Sequence, residues 1–164
     1  MKYLLDSNTL IEAKNRYYAM TICPAYWQWV LMQNKAMEIA SISMVANELK
    51  KGNDDLAEWT KENPALFVDI SDEPTQSAFG RVAQILHEQS AGMKVGALED
   101  FLSGADPWLI AKAWTTGATV VTHEAFNPNS KKKFLIPNIC KQLNIPSINT
   151  FELLHRLNAK FVLP

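Results

Sequence analysis

The feature that most constrains the fold is an alternation of short apolar segments with longer helical ones. Four of the short segments are predicted strands, namely Lys2–Leu5, Glu38–Ile42, Leu66–Ile70 and Ala118–Thr122; β-branched and other apolar residues mark such strands as buried. Ile145–Ile148 is predicted as an edge strand, because Pro146 cannot donate a ladder hydrogen bond. Strands separated by helices imply right-handed crossovers. The sequence therefore predicts an α/β fold, a three-layer α/β/α sandwich around a mainly parallel sheet.

The segments between the strands carry helix signals. Asp106-Pro107 is predicted to begin one helix, with Asp106 as its N-cap and Gly117 beyond its end. Ser43 is predicted as the N-cap of another helix, which Gly52 stops. Asp6-Ser7-Asn8 is interpreted as a polar continuation of the first strand. The remaining helices are predicted at Ile22–Gln33, Met44–Lys51, Asp54–Glu62, from Pro74 onward, Ala97–Leu102, Pro137–Leu143 and Thr150–Asn158.

Composition limits the class of protein. The chain has 164 residues, which favours one domain spanning 1–164. Sixteen Lys plus Arg against 17 Asp plus Glu give a net charge of -1, which argues against a protein that coats nucleic acid through bulk charge but not against a local basic groove. No apolar run approaches the ~20 residues of a membrane span, and no signal peptide is recognisable. We therefore expect a cytoplasmic protein without membrane contact, in which Cys23 and Cys140 are reduced.

Carboxylates follow the predicted strands. Asp6 ends the first strand, Glu48 lies one turn into the helix after the second, and Glu124 comes two residues after the strand that ends at Thr122. Asp106 begins the helix before that strand. Ligands of parallel sheets bind beyond the carboxyl ends of the strands, so these four acids are expected to converge there. Clustered carboxylates repel one another, and a divalent cation with a preference for hard oxygen ligands relieves the repulsion.

Each acid also has an ordinary structural explanation. Asp106 is typical of a helix cap, and Asp6 in Asp-Ser-Asn is typical of a turn. Glu48 fits a solvated helix face and Glu124 a loop. The metal-site hypothesis therefore depends on all four acids sharing one place in the fold.

Four motifs, in order along the chain, resemble those of the PIN-domain ribonuclease family. The first is a strand that delivers Asp6-Ser7-Asn8, and the second is a strand followed by a helix that carries Glu48-Leu49. The third is Asp106 ahead of an Ile-Ala helix face, and the fourth is Thr122-His123-Glu124. Together they extend from residue 3 to about residue 126. The chain departs from the family pattern at Glu124, where aspartate is usual, and from about 127 to 164, which matches no general PIN motif.

The resemblance implies a PIN-like fold and a Mg²⁺- or Mn²⁺-dependent endoribonuclease that leaves 5′-phosphate ends. It implies Asp6, Glu48, Asp106 and, more weakly, Glu124 as catalytic metal ligands, with Ser7, Asn8 and Thr122 as polar support. It also implies the toxin component of a bacterial toxin–antitoxin pair, whose partners are an RNA substrate and an antitoxin. A homo-oligomer is compatible with these expectations.

Lysines near the fourth motif are candidates for RNA binding. Lys131, Lys132 and Lys133 follow Glu124 within nine residues, and Lys50 and Lys51 follow the second motif. A run of lysines in a polar loop is more often a solvated surface than a binding site. RNA binding is therefore one of two interpretations of this lysine run, and a solvated loop is the other.

Two other functions remain as alternatives. A phosphatase with an aspartyl nucleophile usually carries Asp-x-Asp after its first strand, but Asn8 stands at the third position here, and a neutral amide cannot act as the general acid or base. The other alternative is a catalytically weak or silent PIN-like module that binds RNA or protein. His123 lies between two site residues, and we interpret it as structural because metal-activated water needs no imidazole.

Overall fold

The computed structural model describes residues 1–164. Its five strands are β1 (Tyr3–Leu5), β2 (Ile39–Ile42), β3 (Phe67–Val68), β4 (Thr119–Val121) and β5 (Ser147–Ile148). Its nine α-helices are α1 (Ser7–Asn15), α2 (Pro24–Lys35), α3 (Ser43–Lys50), α4 (Asp55–Glu62), α5 (Glu73–Gln89), α6 (Ala97–Ser103), α7 (Asp106–Thr116), α8 (Ile136–Gln142) and α9 (Thr150–Arg156). All five predicted strands are confirmed, at shorter lengths.

The strands form one sheet in the order β3-β2-β1-β4-β5, and every neighbouring pair is parallel. In the register of the central pairs, Leu4 lies opposite both Ala40 and Val120, and Leu5 lies opposite Val121. Starting from β1, the chain adds β2 and then β3 on one side. It then crosses back and adds β4 and β5 on the other side of β1. The order therefore reverses between β1 and β4, and the carboxyl ends of these two strands form the crevice where ligands of such sheets bind.

Helices cover the sheet in two groups that follow from this order. Helices α1, α3 and α4 pack against one another, and α7 packs against α5, α6 and α8. Because parallel crossovers are right-handed, reversing the direction of building places the second group on the opposite face from the first. The α/β fold predicted from the sequence is confirmed, with an entirely parallel sheet.

The core occupies both faces of the sheet. Two consecutive side chains are fully buried in each of β1 and β4, as expected for parallel strands covered on two faces; these are Leu4 and Leu5, and Val120 and Val121. On α2, Tyr26 stacks on Tyr18 at 4.6 Å between ring centroids, and Phe161 of the C-terminal tail packs edge-on to both rings. The tail therefore covers an aromatic part of the core. The two cysteines are unpaired, and Cys140 is buried.

Three local predictions were wrong. Ser43 and Asp106 are the first helical residues of α3 and α7, whose N-caps are Ile42 and Ala105, and neither helix has a side-chain capping bond. At α3, β2 runs directly into the helix. At α7, the carboxylate of Glu48 takes the capping role by accepting the backbone N–H of Ala105. The segment after Asp6 begins α1 and does not continue the first strand, which ends at Leu5. No helix is long and apolar enough to cross a bilayer.

Candidate active site

Asp6 stands at the carboxyl end of β1, at the point where the strand order reverses. Its backbone N–H donates to the carbonyl of Val121 at 2.9 Å, which extends the β1–β4 ladder by one bond. The side chain is 1% exposed and makes no capping bond to α1, although Asp6 occupies the N-cap position. The hydroxyl of Thr122 donates to Asp6 Oδ2 at 3.0 Å. The carboxylate is thus held at the sheet edge by a neighbouring strand.

The backbone around Asp6 is fixed by two hydroxyls that sequence reasoning missed. Thr9 Oγ1 donates to the Asp6 carbonyl at 2.7 Å, and Ser41 Oγ donates from β2 to the Leu5 carbonyl at 2.6 Å. Both residues are buried. A Thr that bonds back to a carbonyl three residues earlier is a local pattern of helix starts, so recognition of α1 would have revealed Thr9. Nothing local marks Ser41, whose partner is 36 residues away.

Glu48 forms a hydrogen bond with the N-terminus of α7, which is far from it in the sequence. Its Oε1 accepts the backbone N–H of Ala105 at 3.0 Å across 57 residues. Ala105 is the N-cap residue of α7, so Glu48 supplies the negative charge that the positive end of a helix dipole favours. The carboxylate of Asp106 is consequently not needed for capping. The bond instead sets Asp106 beside the other acids, at the start of the helix.

Glu124 behaves in a similar way. Its Oε2 accepts the backbone N–H of Ile136, the first residue of α8, at 3.2 Å. Its own N–H donates to the hydroxyl of Thr122 at 3.1 Å. Thr122 therefore bridges Asp6 and the backbone of Glu124, and the substitution of Glu for Asp at this position lets the longer side chain reach α8.

The electrostatics show that the four acids form one cluster. None of them forms a salt bridge. Burial raises the pKa of Asp6 to about 6, opposed by the hydrogen bond from Thr122 and reinforced by the charges of Glu124 and Glu48. Burial also raises the pKa of Asp106 to about 7, reinforced by the charges of Asp6, Glu124 and Glu48. The pKa of Glu124 is raised too, mainly by burial. Burial is thus the main cause of all three shifts, and repulsion among the acids adds to those of Asp6 and Asp106.

The chemistry of the donor set fits a hard divalent cation, although the side chains do not form a ready-made cage. As the side chains stand, no group of three or more His, Cys, Asp or Glu residues is arranged to hold a metal ion. In each glutamate, one carboxylate oxygen accepts a hydrogen bond from a backbone N–H, and the other oxygen makes no hydrogen bond. Mg²⁺ needs few carboxylates because it retains several waters. Neither Asp6 nor Asp106 makes a side-chain capping bond, and the backbone N–H of Ser7 lowers the pKa of Asp6 only against the larger effect of burial.

The supporting residues divide into two kinds. Ser7 and Thr122 both direct hydroxyls at Asp6, the former at 3.4 Å. Asn8 is exposed on α1 and makes no side-chain hydrogen bond, so the structure does not bring it against the acids. The supporting role of Asn8 therefore stays a prediction from the family pattern.

The lysine run lies beside the acids on an exposed loop. All three side chains are exposed. The charge of Lys133 lowers the pKa of Asp106 and of Glu124 against the effect of burial, so its ammonium is near both groups. Lys131 and Lys132 line an adjacent groove of about 530 Å³ together with Asn127 and Asn129. The loop thus extends a positive surface away from the acid cluster.

His123 faces away from the acids. Its Nε2 lies 3.0 Å from Thr150 Oγ1 at the start of α9, and its Nδ1 lies 3.6 Å from Glu12 Oε2 on α1. The ring therefore links two helices on either side of β4, in agreement with the structural role that we expected from its position.

Comparisons with known proteins give a family and a fold. The model of one family, described as "Domain of unknown function (DUF4411)", matches residues 3–161. No curated protein matches the sequence. Among solved structures, VapBC2 from Rickettsia felis, bound to a DNA fragment from its promoter, is similar with a TM-score of 0.54 and 20% identity over 91% of this chain and 98% of that one. FitAcB from Neisseria gonorrhoeae is similar with a TM-score of 0.52 and 15% identity over the same shares.

These likenesses bear on the fold. Identities of 15% and 20% over nearly the whole of both chains indicate a shared architecture. The fold of this chain is PIN-like, as the ordered motifs predicted. The family match includes the tail beyond residue 126, which the general PIN motifs did not cover.

Proposed function

The chain belongs to the family of domains of unknown function DUF4411, and we propose that it is a metal-dependent endoribonuclease, the toxin component of a bacterial toxin–antitoxin pair. The observation that carries the proposal is the acid cluster at the reversal of strand order. Four carboxylates share this place without a single ion-pairing partner, and repulsion among them contributes to the raised pKa values of Asp6 and Asp106. A protein that used these acids only for capping or solubility would gain nothing from placing them together.

The chain's own residues divide the work of the proposed reaction. Asp6 and Asp106 are the principal ligands of Mg²⁺ or Mn²⁺, with Glu48 and Glu124 binding directly or through water. A bound ion of this kind lowers the pKa of a water ligand and neutralises charge on phosphoryl oxygens. Thr122 orients the carboxylate of Asp6, and Glu48 positions Asp106 through α7. Lys133 offers a cation for the RNA backbone beside the acids.

The proposed biological role is supported by the structural neighbours. VapBC2 and FitAcB are toxin–antitoxin proteins with PIN-domain toxins, and the present chain covers 98% of each matched chain. In this proposal the partner is an antitoxin, a small DNA-binding protein encoded by the adjacent reading frame. Induced expression of the chain alone should arrest bacterial growth, and co-expression of that neighbour should relieve the arrest.

The activity is tested with purified protein and single-stranded RNA. Wild type should cleave RNA with Mg²⁺ or Mn²⁺ and leave 5′-phosphate ends, and Asp6→Asn and Asp106→Asn should each abolish cleavage. The matched control is Glu88→Gln, which removes one exposed negative charge on α5 without breaking a hydrogen bond or ion pair. Cleavage that survives exhaustive chelation, or wild-type rates in either Asp variant, would refute the proposal.

Metal binding has a readout that is independent of activity. A ligand that binds only the folded state raises the melting temperature by mass action. Mg²⁺ or Mn²⁺ should raise the melting temperature of wild type and of Glu88→Gln, and should raise that of Asp6→Asn much less. An equal rise in all three proteins would place the ion elsewhere.

One observation favours the second candidate, a silent module that binds RNA or protein. Glu48 and Glu124 both bond to backbone N–H groups, which gives each a structural purpose without a metal. RNA binding by wild type without cleavage under any divalent ion would favour this module over the nuclease.

A further inference from the structure

A second recess opens at the carboxyl edge of the sheet, lined by residues that follow β4 and β5. It is a cleft of about 190 Å³ between α1, the second residue after β4 and the start of α9. Its lining includes Glu12, Arg16, Tyr17, His123, Thr150 and Phe151. None of these residues belongs to the proposed metal site.

The cleft shares a wall with the acid cluster. Thr9 lines it and donates its hydroxyl to the carbonyl of Asp6. His123 lines it and directly precedes Glu124. Both contacts follow from topology, since β1, β4 and β5 are neighbours and their carboxyl ends lie together. The cleft is therefore adjacent to the backbone that carries two of the acids.

The lining fits a flat, uncharged ring. Tyr17 is 75% exposed and Phe151 is 48% exposed, so two large aromatic side chains stand open at the cleft. Glu12 and Arg16 bring opposite charges, which gives the walls little net charge for a phosphate. The imidazole of His123 lies edge-on to Phe151, with 6.3 Å between the ring centroids. Proteins bind unpaired bases of RNA by stacking them on aromatic rings and on arginine, with polar groups at the base edges.

We propose that this cleft binds a single unpaired nucleobase of the RNA substrate, stacked against Phe151 and Tyr17, with Arg16 and Glu12 at its polar edge. The inference rests on the proposed ribonuclease function and adds a base-binding subsite to it. The lysine loop then contacts phosphates, which all sequences share. The cleft contacts a base and orders the strand relative to the acids.

The test compares two single-stranded oligonucleotides in the Asp6→Asn background, which prevents cleavage. One is an RNA of mixed sequence, and the other has the same length and phosphates but lacks bases at its central positions. Stacking of one base on an aromatic side chain changes affinity by roughly 5- to 150-fold. The parent should therefore bind the complete RNA more tightly than the abasic one by a factor in this range.

Variants assign that preference to the cleft. Phe151→Ala and Tyr17→Ala should reduce or remove the preference by weakening only the complete RNA, and Phe151→Trp should restore it. Met32→Ala removes an exposed apolar side chain on α2, outside the cleft, and should leave both affinities unchanged. Melting curves check folding, above all for Phe151, which is about half-buried.

The outcomes separate the two proposals. No binding of either oligonucleotide, together with no cleavage by wild type, would overturn both. RNA cleavage by wild type with the same preference for bases in the parent and in Phe151→Ala would overturn the base-binding subsite alone. Unchanged RNA affinities with loss of antitoxin binding in Phe151→Ala would reassign the cleft to a protein partner and would also overturn it.

Discussion

At the scale of single residues, the two aspartates differ from the two glutamates. Glu48 and Glu124 each accept a backbone N–H at the start of a helix, so part of their charge is compensated inside the protein. Asp6 accepts the hydroxyls of Ser7 and Thr122, and the backbone N–H of Ser7 also lowers its pKa, but neither aspartate has a capping bond. Within the acid cluster, the charges of the two aspartates are therefore less compensated than those of the two glutamates.

Replacing Asp106 with Asn should stabilise the metal-free protein, and more so at high pH. Because burial raises the pKa of Asp106 from 3.8 to about 7, wild type is most stable below the first value and loses this contribution as the pH rises through the second. The asparagine carries no charge and avoids the loss. In EDTA, the gain in melting temperature should grow between pH 5 and pH 8, with Glu88→Gln as the control. A variant that is less stable than wild type at pH 8 would contradict the proposed repulsion.

Glu48 can be divided into its structural and its chemical contributions. Glu48→Gln keeps a carbonyl oxygen to accept the N–H of Ala105, so stability should stay close to that of wild type. Glu48→Ala leaves that N–H without its partner and should cost about 1 kcal/mol. If the charge of Glu48 serves the metal, both variants lose nuclease activity. Chemical denaturation and cleavage assays measure the two effects, and full activity in Glu48→Gln would restrict Glu48 to anchoring α7.

At the scale of elements, α7 is held at two points. Glu48 fixes its N-terminus, and Lys112 on its face reaches α5, where Lys112 Nζ donates to Asp72 Oδ1 at 2.8 Å. Asp72 is also the N-cap of α5 and accepts the N–H and the hydroxyl of Thr75. One carboxylate thus begins α5 and joins it to α7. The position of Asp106 depends on both connections.

Variants at Asp72 should separate capping from ion pairing. Asp72→Asn keeps the cap and loses the pair, which should cost less than about 1 kcal/mol because the Asp72 side chain is 40% exposed. Asp72→Ala loses both and should cost about 1–2 kcal/mol. Urea unfolding at neutral pH measures both values, with Lys112→Met as the matched variant for the pair. Equal stability of Asp72→Ala and wild type would contradict this account.

The Lys112–Asp72 ion pair also predicts how the stability of the protein depends on pH under acidic conditions. The hydrogen bonds from Lys112 and Thr75 lower the pKa of Asp72 from 3.8 to about 2. A group with a lowered folded-state pKa stabilises the protein above its unfolded pKa, and the contribution is lost as the pH falls through the folded value. The stability difference between wild type and Asp72→Asn should therefore be full at pH 5 and shrink as the pH falls from about 4 towards 2.

At the scale of the whole molecule, charge is nearly balanced and only its distribution can attract RNA. The net charge is -1, and the densest run of cations is Lys131 to Lys133, beside the acids. The acid cluster repels phosphate when no metal is bound. Attraction for a polyanion must therefore come from a local patch, and the lysine loop is the densest one, with Lys50 and Lys51 as the next candidates.

Replacing all three lysines with Ala should weaken RNA binding and flatten its dependence on salt. For a single strand, the log–log slope changes by about 0.7 for every phosphate that the protein no longer neutralises, because fewer counterions are released. The measurement uses the Asp6→Asn background. The control removes the same charge elsewhere, by changing Lys2, Lys35 and Lys160 to Ala, and should leave the slope unchanged. Parallel lines of equal affinity for the lysine-loop variant would show that its loop is only solvated surface.

Much of the architecture was determined by sequence alone, because its signals are local. Apolar, β-branched segments mark buried strands, and parallel strands necessarily bring their carboxyl ends together. Asp6 and Glu124 could therefore be assigned to one edge of the sheet from their distance after a strand. Helix α1 was missed because Asp6-Ser7-Asn8 is also typical of a turn, and the cap at α7 was misplaced because its capping carboxylate is 57 residues away.

Only the tertiary structure decided which strands are neighbours and what each acid bonds to. The order β3-β2-β1-β4-β5 places the reversal at Asp6, and no local pattern contains that order. The bonds of Glu48 to α7, of Glu124 to α8 and of Ser41 to the carbonyl of Leu5 join segments 12 to 57 residues apart. The cleft between α1 and α9 likewise exists only once β1, β4 and β5 lie side by side. Such contacts depend on the packing of the whole sheet and its helices, and the period of a strand or helix carries no information about them.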